Sequence, residues 1–282
     1  MAPARFTRLT ARFSPRVVSR RLRGLLLVGV IQLPALAAAP VPETAGARVI
    51  ADLGLELIRV EPGTFTMGSP ADEPERNKAE GPRMTVSITR EYWLGKTEVT
   101  QGQYEAVMGS NPSTFNTGDK TLPVERVSWI GAMEFCRKLT ERERGAGRLR
   151  PGEAYTLPTE AQWEYACRAG TTTAYTDDPE SVSWNNANSD GRTHPVGTKR
   201  ANPWGFHDLP GNVLEWCYDW YGPYPGGTVT DPVGPERGHY RIARGGSWRT
   251  EARLGRSAAR SGGSSGREDY TIGFRVCLCA ER

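Results

Sequence analysis

Eight tryptophans lie between Trp93 and Trp248, and most stand in short polar, glycine-bearing motifs: LPTEAQWEYACRAG at 157–170, GNVLEW at 211–216 and RGGSW at 244–248. A tryptophan beside glycines and charged residues gains burial only if its loop is held in one conformation and its indole N–H finds a partner. The chain therefore demands ordered loops, and ordered loops are where function collects.

Regular elements are short. Thr100 and Gln103 form a capping-box pair ahead of Tyr104, Val107 and Met108, with Gly109 closing that helix. Ser128 caps a second helix whose face carries Trp129, Ala132, Met133, Cys136 and Leu139. Thr159 and Gln162 repeat the capping box before Trp163, Ala166 and Cys167, with Gly170 just past the end. Strands are expected at Leu57–Val60, Thr85–Ile88, Tyr92–Leu94, Tyr240–Arg244 and Gly273–Cys277. This is an α+β pattern: short helices and short antiparallel strands in a loop-rich matrix.

The chain has 282 residues and a net charge of +4. Much of the positive charge sits at the N-terminus, where Arg5, Arg8, Arg12, Arg16, Arg20, Arg21 and Arg23 occur with no acid before Glu43. The overall charge therefore says little about partners. Those arginines, the apolar run from Leu25 to Leu36 and the alanines at 35–39 read as a signal peptide or an N-terminal membrane anchor over 1–39. Ser19-Arg20-Arg21 admits twin-arginine export. A linker at 40–47 and one domain at 48–282 follow. The expected location is outside the cytoplasm, periplasmic or extracellular, with membrane attachment only through the N-terminal segment. No nucleic-acid footprint, phosphate-binding glycine loop or Ser-His-Asp order stands out.

Together with VEPGTFTMGS (60–69), LGKTEVTQGQYEAVMG (94–109), PVERVSW (123–129), RSAAR (256–260) and GFRV (273–276), the three tryptophan motifs resemble the sulfatase-modifying-factor family, which contains the formylglycine-generating enzymes. The resemblance runs from roughly Ile50 to Arg275 and implies a C-type-lectin-like fold. It also implies a chemistry: oxidation of a sulfatase cysteine to an aldehyde, using oxygen and copper(I) held by two cysteines after the GGS(W/Y) motif. Soft thiolates suit that ion. Here Thr250 falls at the first cysteine position and Leu254 or Gly255 at the second. Copper is therefore not expected, and no catalytic residue is assigned.

The resemblance further implies a calcium loop at 208–215, with Asp208 and Glu215 giving side chains and Gly211 and Val213 giving carbonyls. Hard oxygen donors on a turn suit calcium. Asn188 and Asp190 partly match a second family calcium site. The resemblance places a missing disulfide partner for Cys167 near Ser257. Among the five cysteines, Cys136 and Cys277 are the preferred pair, with Cys279 the alternative to Cys277. His194, in the THPVG turn, reads as a loop hydrogen-bonding residue.

With the copper pair gone, the surface around it becomes the expected recognition site. Its residues are Ser247, Trp248, Arg249, Thr250, Glu251 and Arg253, with the Gly/Ser-rich segment from Ser261 to Tyr270. The expected function is an exported binding or accessory module that recognises a protein or glycan ligand. Two other readings stay open: a formylglycine-generating oxidase with a different metal arrangement, and another non-haem-iron, oxygen-dependent enzyme on the same scaffold.

Overall fold

The computed structural model describes residues 46–281; the expected signal or anchor segment, and the linker up to residue 45, lie outside them. In chain order the strands are β1 Ala47–Ile50, β2 Leu55–Val60, β3 Gly63–Met67, β4 Met84–Ile88, β5 Tyr92–Gly95, β6 Glu153–Thr156, β7 Leu214–Trp220, β8 Gly227–Thr230, β9 Arg241–Arg244, β10 Arg260–Gly263, β11 Ile272–Gly273 and β12 Cys277–Ala280. The helices are α1 Gln101–Met108, α2 Trp129–Gly145, α3 Glu160–Arg168 and α4 Pro179–Val182. Ala47 pairs with Ile58, so the folded domain includes the last residue of the expected linker.

Capping fixes where the helices begin. Thr100 and Gln103, and likewise Thr159 and Gln162, form reciprocal capping boxes at the starts of α1 and α3, and Ser128 caps α2. Gly109 ends α1 in the left-handed conformation.

Three sheets result, in the orders β1-β2-β5-β12-β6, β10-β9-β7-β11 and β3-β4-β8. The first is buried on both faces, because side chains alternate along a strand. Trp93 and Leu278 join a cluster with Tyr104 of α1 and Phe135 and Leu139 of α2. Their neighbours Tyr92, Leu94 and Cys277 join a second cluster with Trp163 and Ala166 of α3.

That alternation corrects the expected disulfide. Cys136 packs in the first cluster and Cys277 in the second, so the sheet lies between them, and no disulfide joins any of the five cysteines. The expected strand Gly273–Cys277 is also corrected. It divides into β11, parallel to β7, and β12, antiparallel to β5 and β6. The chain leaves one sheet and enters another at Phe274–Val276, with Arg275 at the crossing.

The indole N–H groups hold the loops. Trp129 donates to Cys217 O at 2.8 Å, Trp216 to Val127 O at 2.8 Å, Trp184 to Thr198 Oγ1 at 2.9 Å and Trp163 to Glu215 Oε2 at 2.8 Å. Each bond joins segments that no regular ladder connects.

Candidate functional site

The loop after β9 packs on the turn at Leu209-Pro210. A Cβ at residue 255 would lie 2.5 Å from Pro210 O, closer than real Cβ atoms approach, so glycine is required there. Within the loop, Ser247 N donates to Thr250 Oγ1 at 3.0 Å, the two hydroxyl oxygens lie 3.0 Å apart, and Thr250 N donates to Ser247 O at 2.9 Å. Thr250, at the expected first copper position, is thus a turn-closing residue. At the second, Leu254 closes a short 3-10 turn over Ala252–Leu254 and Gly255 is buried.

The six expected ligand-binding residues divide. Ser247 is buried and spends its hydroxyl inside the turn, which corrects its expected place on the surface. Trp248 is nearly buried: its N–H donates to Asn212 O at 2.7 Å and its indole to Tyr270 O at 3.2 Å. Phe115 meets the Trp248 ring edge-on at 5.4 Å, and Tyr270 lies 5.7 Å away. Arg249 is exposed and donates to the Tyr270 hydroxyl at 2.7 Å. Glu251 and Arg253 are exposed and paired at 2.7 Å, and Arg253 also pairs with Glu75. Arg249 and Tyr270 therefore face solvent over Trp248 and Phe115, and the Ser264–Glu268 stretch is largely exposed as well. Phe115 carries no local signal and meets Trp248 only through folding.

Behind the patch lies a buried charge cluster. Arg275 Nε and Nη2 each donate to Glu215 at 2.6 Å, and Trp163 adds its bond to the same carboxylate. Glu98 accepts from Val213 N at 2.9 Å and Asn212 Nδ2 at 2.8 Å. Asp208 Oδ2 accepts from Gly197 N at 2.7 Å, while Asp208 Oδ1 is buried with no partner. Burial, opposed by the Gly197 N–H bond and Arg275, pushes the Asp208 carboxyl up to about 6. Burial, reinforced by the charges of Asp208 and Glu215, raises Glu98 well above the usual carboxylate range. One guanidinium does not balance three carboxylates in this environment.

The expected calcium donors fit this arrangement in a restricted way. Asp208 Oδ1 is an open, buried oxygen, and Glu215 Oε1 accepts only one bond, leaving it a lone pair. The remaining donors would be the Gly211 and Val213 carbonyls. Among the described residues, no group of three or more His, Cys, Asp or Glu side chains is placed to hold a metal. At the second expected site, Asn188 serves the local turn. Asn188 Oδ1 accepts from Asn185 N at 2.9 Å and its amide donates to Ser183 O at 3.1 Å, which fixes the local turn. Glu98, which holds the Val213 N–H and the Asn212 side-chain amide, has no local sequence signal because these partners lie more than a hundred residues along the chain.

The remaining arginines of the motifs are also structural. Arg256 forks onto Glu80 with two bonds of 2.7 Å, Arg260 forks onto Glu160, and Arg244 pairs with Glu164. His194 stacks on Trp184 at 3.8 Å and bonds Ser189 O at 2.8 Å. Cys167 Sγ lies 3.6 Å from Ser257 Oγ, so Ser257 does face the thiol that the resemblance left without a partner.

The short strands, two-faced central sheet and loop-supported patch define a C-type-lectin-like domain. The profile of the sulfatase-modifying factor enzyme 1-like domain matches residues 50–280, and the chain belongs to that family. It is 29% identical over 259 residues to the chaperone protein LppX of Paenibacillus barcinonensis, covering 73% of this chain and 81% of the relative. It is 34% identical over 187 residues to the formylglycine-generating enzyme of Streptomyces coelicolor, covering 58% of this chain and 55% of the enzyme. Among solved structures, Treponema denticola variable protein 1 superposes with a TM-score of 0.72 at 28% identity, covering 82% of this chain and 97% of its own.

Proposed function

We propose that this chain is an exported binding or accessory module of the sulfatase-modifying-factor family, without the family's cysteine oxidase activity. The observation that carries this reading is Thr250. It occupies the first copper position and is tied to Ser247 by both its hydroxyl and its backbone N–H. Neither a hydroxyl nor Leu254 or Gly255 supplies the soft sulfur that copper(I) prefers. The ligand, a protein or a glycan, would meet Arg249, Tyr270 and the Ser264–Glu268 stretch. A rigid aromatic base under a polar loop suits recognition. The Paenibacillus relative's name, a chaperone protein, accords with an accessory role. Calcium, held by Asp208, Glu215 and the Gly211 and Val213 carbonyls, would balance the buried carboxylates and brace the loop beneath Trp248. Export rests on the arginine-rich, then apolar, N-terminal segment.

The decisive experiment is mass spectrometry of a Cys-x-Pro-x-Arg peptide after aerobic incubation with copper-loaded protein, beside an active formylglycine-generating enzyme. An unchanged peptide is expected. Conversion of its thiol to an aldehyde would overturn the non-oxidase reading.

A further inference from the structure

A cleft of about 410 Å³ opens beside β3, β4 and the end of α3, and it shares no residue with the patch at 247–270. Its volume lies within the range of small-ligand sites. Three aromatic rings form its corner: Phe65 and Tyr165, 5.1 Å apart and tilted by 37°, and Trp204, 4.9 Å from Tyr165 and edge-on to it at 81°. Phe65 and Trp204 are half-buried, so ring surface remains open to solvent. Thr66 and Thr85, both exposed and cross-strand neighbours on β3 and β4, also line the cleft, from the sheet face opposite Phe65.

Charge distinguishes this cleft. No carboxylate lines it. Of its two arginines, Arg168 is buried and held by Glu164 at 2.8 Å, a carboxylate it shares with Arg244, whereas the exposed Arg83 side chain has no partner among the described residues. The Tyr165 hydroxyl and the Trp204 indole N–H are likewise without protein partners among the described residues. Glycine at 63 preserves the hydroxyl's place, since a Cβ there would lie 2.1 Å from Tyr165 Oη.

We propose that this cleft binds an acidic sugar unit of a glycan. A sugar ring has an apolar face of C–H groups that suits the negatively charged face of an aromatic ring. Its hydroxyls suit the threonines, the Tyr165 hydroxyl and the Trp204 N–H, and its carboxylate suits the unpaired Arg83 guanidinium. A purely apolar ligand would leave those donors unmatched, and a neutral sugar would leave Arg83 unpaired.

The test is calorimetric titration of the protein with galacturonic acid trisaccharide, and with its fully methyl-esterified form as the uncharged control. Saturable binding of the free acid is expected, with roughly tenfold weaker binding of the ester, as befits loss of a charge-assisted contact. Arg83→Gln, at an exposed position, should weaken the acid by a similar factor and leave the melting temperature unchanged. Gly63→Val should remove binding of both forms by displacing the Tyr165 hydroxyl. The proposal is overturned if the free acid does not bind saturably, if acid and ester bind equally, or if Arg83→Gln binds as the parent does.

Discussion

Arg275, between β11 and β12, reaches Glu215 on β7 with two guanidinium bonds of 2.6 Å, and both side chains are wholly buried. The pair joins two sheets at the point where the chain passes from one to the other. Breaking one side of such a pair leaves the other charge buried and unmatched, at a cost of about 3–5 kcal/mol. Arg275→Met, which leaves the buried Glu215, Glu98 and Asp208 carboxylates without their guanidinium, should lower unfolding stability by that amount in urea titrations; a loss below about 1 kcal/mol would show the crossing to be held by something else.

Ser257 lies within hydrogen-bonding reach of the Cys167 thiol, which burial pushes up to about 11. Ser257→Cys should therefore oxidise to a disulfide with Cys167. The bridge is expected to add about 2–4 kcal/mol. Intact mass under non-reducing conditions should fall by two hydrogens, and the melting temperature should drop on reduction. Persistence of two thiols after oxidation would contradict the geometry.

Glu125 supplies a pH dependence. One of its oxygens accepts from Phe115 N at 2.8 Å, the other is buried without a partner, and burial raises the carboxyl to about 7. Because the folded value lies above the unfolded one, its contribution is fully present below the unfolded value and is lost as pH rises to about 7. Glu125→Gln should flatten the decline of melting temperature between the unfolded carboxylate range and neutrality. An identical pH profile in the variant would exclude this group as its source.

Calcium should act through Asp208. Added calcium should raise the melting temperature at neutral pH, chelator should reverse the rise, and Asp208→Ala should abolish the increment whatever its own baseline. Binding confined to the folded state stabilises by mass action. An equal calcium response in parent and variant would remove Asp208 from the ligand set.

The starts of α1, α2 and α3 were legible because an N-cap is a contact between residues three apart, and the loop-rich class was legible because tryptophans among glycines require ordered loops. The expectation that Thr250 stands at the first copper position was equally a matter of local sequence. Tertiary structure alone decided that Cys136 and Cys277 face opposite sides of one sheet, that Gly273–Cys277 belongs to two sheets, and that Ser247 turns inward while Tyr270 faces out. It also chose Glu98 as the acceptor for the Val213 N–H and the Asn212 side-chain amide, and Phe115 as the ring beside Trp248. Local signals arise from bonds that close within one turn of chain. These other relationships depend on which strands pair and which face each side chain takes, and packing of the whole chain sets both.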